Sequence, residues 1–313
     1  MINGIISVAV IFLVFALGFF FTVRKIWPEN ANSVLSVIVV QIAAPCLAVT
    51  GLSGNLTPDL LHSSMILILV CLIHVAMLYA AGKGLSRLLR LKGGRRTIFE
   101  ASFTFSNTIF IGLPVNQIVF GDAGLPFLLA YYIVTLATYW SVGNFEIARA
   151  SGAGGAGFSL KKILTPGLIG VIAGALIVEF EIGIPLVIDT AMNYMADLCV
   201  PLSLLVIGAN LSAVTREFAR PRLDELVVIA GKFIISPLFM YLLMCLSGNA
   251  PGSLPFRVLM LASAMPCHIQ TSISAQYYGV EGDYAARLVC LSTLLCLVTI
   301  PLAVALFCGP SGG

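Results

Sequence analysis

Charge is scarce in this chain. Asp, Glu, Lys and Arg make up 10% of its 313 residues, against roughly 25% in an ordinary soluble domain. The eight cysteines, Cys46, Cys71, Cys199, Cys245, Cys267, Cys290, Cys296 and Cys308, contain no CxxC pair and no metal-spaced cluster. That removes the usual signs of a zinc site or a dithiol redox centre. Seven of them fall in apolar stretches or at their ends and read as free thiols. P-loop, HExxH and GxSxG patterns are also missing, and with them the commonest marks of an ATP-driven pump or a hydrolase. No cofactor or metal is expected.

Apolar length is abundant. Hydrophobic residues make up 59% of the chain and mean hydropathy is +1.03. The apolar runs approach the roughly 20 residues that cross a bilayer as a helix. They predict spans at 4–23, 32–52, 60–81, 97–120, 124–145, 163–180, 186–211, 225–247, 255–279 and 284–308, ten in all. Continuous apolar runs exclude an outer-membrane barrel, whose strands alternate every residue. The first run is expected to be a retained helix and not a cleaved signal, because its basic pair, Arg24 and Lys25, follows it.

The basic residues alternate with the spans. Loops after odd-numbered spans hold Arg24, Lys25, Lys83, Arg87, Arg90, Lys92, Arg95, Arg96, Arg149, Lys161, Lys162, Arg216, Arg220, Arg222 and Arg287, which is 15 of the 17 Lys and Arg. The even-numbered loops hold Arg257, and Lys232 lies inside a span. Under the positive-inside rule both termini face outside. The net charge of +3 is then a topology signal. The basic run Lys83–Arg96 reads as a cytoplasmic loop near anionic lipid, with no nucleic-acid partner.

The stretch ASGAGGAG, Ala150 to Gly157, reads as a flexible connector between two halves of five spans. The implied domains are 1–145, a cytoplasmic connector 146–162, and 163–313. Because five is odd, a repeated second half would insert upside down. APCLAVTGLSGNL (Ala44–Leu56) and VPLSLLVIGANL (Val200–Leu211) each carry a proline, Pro45 or Pro201, ahead of a Gly/Asn/Leu ending. SNTIFIGLPVNQIVFG (Ser106–Gly121) and AMPCHIQTSISAQYYG (Ala264–Gly279) each place a proline and polar residues inside an apolar run. A proline inside a helix removes a donor and costs about 3 kcal/mol, and freed backbone groups at depth must be buried or line a wet cavity. Pro114 and Pro266 therefore mark either kinks between packed helices or two broken helices that meet at mid-membrane around a substrate.

These last motifs, with the terminal stretch through STLLCLVTIPL, resemble the auxin efflux carrier family, which includes plant auxin carriers and short microbial permeases for malate or malonate. The resemblance spans essentially the whole chain. It implies a bile-acid-symporter-like all-α fold of ten helices in two inverted five-helix repeats. Helices 1, 2, 6 and 7 would form a scaffold, a homodimer would assemble through it, and helices 3–5 and 8–10 would form a transport domain with 4 and 9 crossing. Carried over by motif, the substrate-contacting Asn falls on Asn107, the span-4 crossover proline on Pro114 and the span-9 proline on Pro266. A second span-9 proline of plant carriers is replaced by Thr271. The short connector matches the microbial members and a bacterial inner membrane.

The residues themselves point the same way. Asn107 and Thr108 in span 4, and His268, Gln270, Thr271 and Ser272 in span 9, offer uncharged polar groups to a small carboxylate. Asn107 can equally be a packing amide, and His268 can bond a backbone carbonyl. His62 and His74 read as structural. Two ionisable residues fall within spans, Asp197 in span 7 and Lys232 in span 8. They are candidates for coupling to H⁺ or Na⁺, alongside His268, or for a structural pair or a wet lining. The resulting expectation is an organic-anion carrier working by alternating access, elevator-like. The alternative is a sodium-coupled symporter of larger amphipathic acids on the same fold. A membrane enzyme or receptor lacks the catalytic acids or metal set it would need.

Overall fold

The computed structural model describes residues 2–28, 30–55, 57–152, 164–211 and 221–308. Lys161, Lys162, Arg216, Arg220 and most of the expected connector lie outside them, as do the side chains of His62 and Cys308. Among the described residues the chain is helical, apart from one isolated antiparallel bridge. Six helices are long and apolar enough to cross a bilayer, at Ala31–Gly54, Ile66–Leu88, Asp122–Ala150, Leu186–Asn210, Leu223–Leu246 and Gly282–Phe307. Shorter apolar helices stand at Phe12–Val23, Thr108–Phe120, Pro166–Glu179 and Leu254–Ser263. This is an integral, multi-pass membrane protein.

In chain order the helices are α1 (Ile2–Val23), α2 (Ala31–Ile38), α3 (Ala44–Asn55), α4 (Pro58–Leu88), α5 (Gly93–Thr104), α6 (Leu113–Phe120), α7 (Leu125–Thr138) and α8 (Asn144–Ala150). They continue as α9 (Pro166–Glu179), α10 (Leu186–Asp197), α11 (Cys199–Leu211), α12 (Leu223–Ala230), α13 (Ser236–Leu246), α14 (Leu254–Ser263), α15 (Ile269–Tyr277) and α16 (Gly282–Cys308). The expected connector thus begins inside α8, which runs on to Ala150.

Prolines explain most of the irregularities, in two different ways. Pro45, Pro114 and Pro237 each stand in the first turn of a helix, α3, α6 and α13, and each is preceded by a π turn: Val39–Ala43, Thr108–Gly112 and Gly231–Ile235. A proline ring collides with the carbonyl four residues before it. Those carbonyls belong to Gln41, Phe110 and Phe233, all inside the π turns. Widening the turn to i→i+5 bonding relieves the collision without breaking the rod. Pro201 acts otherwise: the carbonyl four residues back is that of Asp197, where α10 ends, and the chain restarts as α11 at Cys199. Pro266 terminates a helix outright. Its missing N–H and the extended bias it imposes on its predecessor stop α14 at Ser263.

Two groups of helices emerge from the packing. In the first, α1 lies along α11, and α3 lies along α9 and α10. Glycine makes these approaches possible. A Cβ on Gly208 would sit 2.1 Å from the Phe15 carbonyl oxygen, one on Gly18 2.3 Å from that of Leu205, and one on Gly170 2.5 Å from that of Pro45. In the second group, α4 packs on α5, α7 and α13, α14 on α7 and α13, and α15 on α16 and α8. Ion pairs bind this second group at the end that carries its basic residues. Lys83 of α4 meets Glu146 of α8 at 3.0 Å, Arg95 of α5 meets Asp224 of α12 at 2.7 Å, and Arg287 of α16 meets Glu225 of α12 at 2.7 Å. Tyr284 donates to Asp224 as well, and Arg96 holds Glu100 at 2.8 Å. These four ion pairs all join members of the second group.

Candidate functional site

Two helical rods of the second group are interrupted, and the interruptions cross. Between α5 and the π turn that leads into α6, Phe105 to Asn107 leave helical geometry, as do Met265 to His268 between α14 and α15. The two extended segments pair as a miniature antiparallel ladder centred on Ser106 and Cys267. Asn107 N–H donates to the Pro266 carbonyl at 2.9 Å, and His268 N–H donates to the Phe105 carbonyl at 3.1 Å. Cys267 N–H donates to Ser292 Oγ of α16 at 3.1 Å. Backbone groups freed by the two breaks thus satisfy one another, as an apolar surrounding demands.

The break before α6 has no proline in it. Asn107 makes it, with Oδ1 accepting the Phe110 N–H at 3.2 Å as the cap of the following turn. A short amide side chain that captures a nearby backbone N–H competes with the helix for that donor. Pro114 lies a turn and more beyond the paired segment, in the first turn of α6 after the π turn Thr108–Gly112. Pro266 does lie in the crossing. The replacement of a second proline by Thr271 leaves the α14–α15 break intact, with Thr271 fully buried inside α15.

A cleft of ≈370 Å³ opens between the two groups of helices. Asn107 and Ile111 form its floor, Asn32, Ser33 and Ser36 of α2 with Ile207 and Asn210 of α11 form one wall, and Ile269, Ser272, Ile273 and Gln276 of α15 with Val289 and Thr293 of α16 form the other. Because it borders the start of α2 and the end of α11, it opens towards the basic end of the molecule. Asn32 Nδ2 donates to Asn210 Oδ1 at 2.7 Å, which fixes the polar wall. With Oδ1 of Asn107 engaged as a cap, Nδ2 is its remaining donor. The π turn at Thr108 and the start of α15 at Ile269 also present helix N-termini near this floor, where orphan N–H groups and the helix dipole favour an anion.

Of the residues expected at the site, the structure places Asn107 and Ser272 on the cleft. Thr108 faces a small space against Ala44, Ala48 and Gly167, between the two groups. Gln270 offers its backbone carbonyl to the Tyr139 hydroxyl at 2.9 Å. His268 caps the start of α15, with its ring edge-on to Tyr139 at 4.7 Å between centroids. Asp197 and Lys232 do not pair. Asp197 is exposed at the end of α10, on a separate cleft of ≈630 Å³ that it shares with Asp122, Glu181 and Asp189. Lys232 is completely buried in the π turn Gly231–Ile235, and its Nζ donates to Ser106 Oγ at 3.1 Å. His74, read as structural, is buried, and its Nε2 lies 3.0 Å from the Ser236 carbonyl oxygen.

Sequence reasoning missed Asn32, Asn210 and Gln276 on the cleft, and the chain of hydrogen bonds from Tyr139 through Ser274 to Asn144 that backs α15. Asn210 stood in the motif VPLSLLVIGANL, and Ser274 and Gln276 in AMPCHIQTSISAQYYG; Asn32, Tyr139 and Asn144 carry no local signal.

A helical membrane protein with two interrupted, crossing helices beside a cleft of mixed polar and apolar lining has the parts of a transporter. Comparison with known sequences agrees. The family described as "Membrane transport protein" matches this chain over residues 3–156 and 154–304. The chain belongs to that family, the auxin efflux carrier family. It is 26% identical over 312 residues to an uncharacterized transporter of Methanothermobacter thermautotrophicus, covering 95% of each chain. It is also 26% identical over 303 residues to an uncharacterized transporter of Methanocaldococcus jannaschii, covering 94% of this chain and 96% of that one. To a "Putative malonate transporter" of Rhizobium meliloti it is 23% identical over 287 residues, covering 87% and 86%.

Proposed function

We propose that this protein is a carrier for small organic acid anions, with malonate and malate the first substrates to test. The observation that carries this reading is the crossing itself, which sets the Asn107 amide and two helix N-termini on the floor of a cleft lined by both polar and apolar side chains. Uncharged donors and partial positive charges suit an anion that must bind and then leave. The Rhizobium relative's name supports malonate.

In this reading the interrupted and continuous rods make ten spans in two inverted five-helix repeats. The first group, α1–α3 with α9–α11, is the scaffold through which a homodimer forms, and the second group moves past it in an elevator-like step. Four ion pairs that tie α4, α5, α8, α12 and α16 together support the second group's moving as one body. With both termini outside, in a bacterial inner membrane, the Asn107 cleft faces the cytoplasm. Uptake of a dianion against a negative-inside potential costs about 2.3 kcal/mol per charge per 100 mV, so an importer couples to H⁺ or Na⁺. Asp197 and His268 are the titratable candidates for a proton.

The apolar side of the cleft, Ile111, Ile207, Ile269 and Ile273, favours a second reading, a sodium-coupled symporter of larger amphipathic acids. Counterflow of labelled malonate, malate and indole-3-acetate in proteoliposomes, with and without a sodium gradient, decides between them. Sodium-independent exchange of the small acids is expected. Absence of exchange with all three acids refutes both readings.

A further inference from the structure

We propose that Lys232 is a positioning residue that places positive charge behind the site at Asn107, and so sets the preference for doubly over singly charged acids. This rests on the organic-anion reading above.

Lys232 is an unusual residue for its place. It sits within an apolar span, fully buried, and among the described residues no carboxylate lies within ion-pair distance of it. The acidic residues of adjoining helices are already engaged: Glu100 of α5 by Arg96, and Asp224 and Glu225 of α12 by Arg95 and Arg287. A buried ammonium without a counter-ion is costly, even after local relaxation. Its position is nonetheless fixed. The π turn that carries it is pressed so tightly on α5 that a Cβ on Gly231 would come within 2.2 Å of the Phe103 ring.

The ammonium reaches the crossing from behind. Its hydrogen bond goes to Ser106, the residue before Asn107, and Ser106 is the residue bridged to Cys267 on the other strand of the crossing. The carbonyl ends of α5 and α14 converge there too and offset part of the charge. What remains is directed through a thin layer, the paired segments Phe105–Asn107 and Pro266–His268, at the floor of the cleft. A bound carboxylate is the counter-ion that the described residues do not provide. Lys232 acts through this layer, without touching the substrate.

The effect scales with ligand charge, which a purely structural lysine would not produce. Two unit charges roughly 10 Å apart at an effective dielectric of about 20 attract by about tenfold in an equilibrium constant. Affinities for malonate and for its monomethyl ester are to be measured on purified full-length protein by titration calorimetry, at a pH where malonate is doubly ionised. In Lys232→Gln the preference for dianion over monoanion is expected to fall roughly tenfold, and in Lys232→Arg to persist. Ser106→Asp, which gives the ammonium a partner and leaves Lys232 in place, should reproduce the fall should Lys232→Gln fail to fold. Equal weakening of both ligands in Lys232→Gln, or an unchanged ratio in Ser106→Asp, overturns the inference while leaving the carrier reading intact. A wild type that binds neither ligand overturns the carrier reading and this inference with it.

Discussion

Asn107 has two tasks in this structure, and a pair of substitutions separates them. Its Oδ1 caps the turn that starts at Thr108 by accepting the Phe110 N–H at 3.2 Å, while the side chain as a whole lines the cleft. Asn107→Ala removes both functions. The lost cap costs about 1 kcal/mol, with up to about 3 kcal/mol in all if the buried Phe110 N–H finds no water. Asn107→Asp keeps an acceptor for Phe110 but replaces the donor amide with a negative charge. Loss of a hydrogen bond to a charged group accounts for about 1.5–3 kcal/mol, and an added like charge roughly 5 Å from the carboxylate for about 3 kcal/mol more at an effective dielectric of about 20. Asn107→Asp should therefore melt close to wild type and bind malonate at least about a hundredfold more weakly. Asn107→Ala should lose both stability and affinity. Thermal unfolding followed by tryptophan fluorescence, paired with calorimetric titration of malonate, gives both numbers on one preparation. An Asn107→Asp protein that binds malonate like wild type refutes the assignment of Asn107 to the substrate.

Further expectations concern packing, topology and coupling. Gly208→Ala places a methyl 2.1 Å from the Phe15 carbonyl oxygen and should destabilise the protein by at least about 2 kcal/mol, whereas a methyl at Gly174 meets its nearest atoms at 3.1 Å and should be tolerated better; equal melting temperatures for wild type and Gly208→Ala would refute the α1–α11 contact. A cysteine replacing exposed Lys92 should react with a membrane-impermeant maleimide from the cytoplasmic side only, and one at Gly54, where a Cβ meets open space, from outside only; reversed labelling sinks the orientation. Under proton coupling, raising external pH removes a co-substrate, so net malonate uptake should fall between pH 5.5 and 8 while equilibrium exchange holds. Asp197→Asn or His268→Gln should flatten that dependence; uptake that ignores pH and follows sodium rejects it.

The apolar runs, the alternation of basic residues and the positions of the prolines could be read directly from the chain, because the bilayer imposes a length and a polarity that each segment meets by itself. The two interruptions were legible for the same reason: polar residues and a proline inside an apolar run signal a helix that cannot continue. What each proline does was not legible. Pro114 and Pro266 look alike in sequence, yet one only widens a helix and the other ends one. The difference lies in whether a second extended segment is present to accept the freed backbone groups, which the Asn107–Pro266 and His268–Phe105 hydrogen bonds supply. The rotation of each helix about its axis likewise depends on its neighbours. That rotation turned Asn107, Ser272 and Gln276 to the cleft, hid Thr271, left Asp197 exposed and buried Lys232 against Ser106. Sequence set where the chain crosses the membrane and where it breaks; tertiary packing decided which polar groups meet, because only the approach of distant segments brings a buried donor to its acceptor.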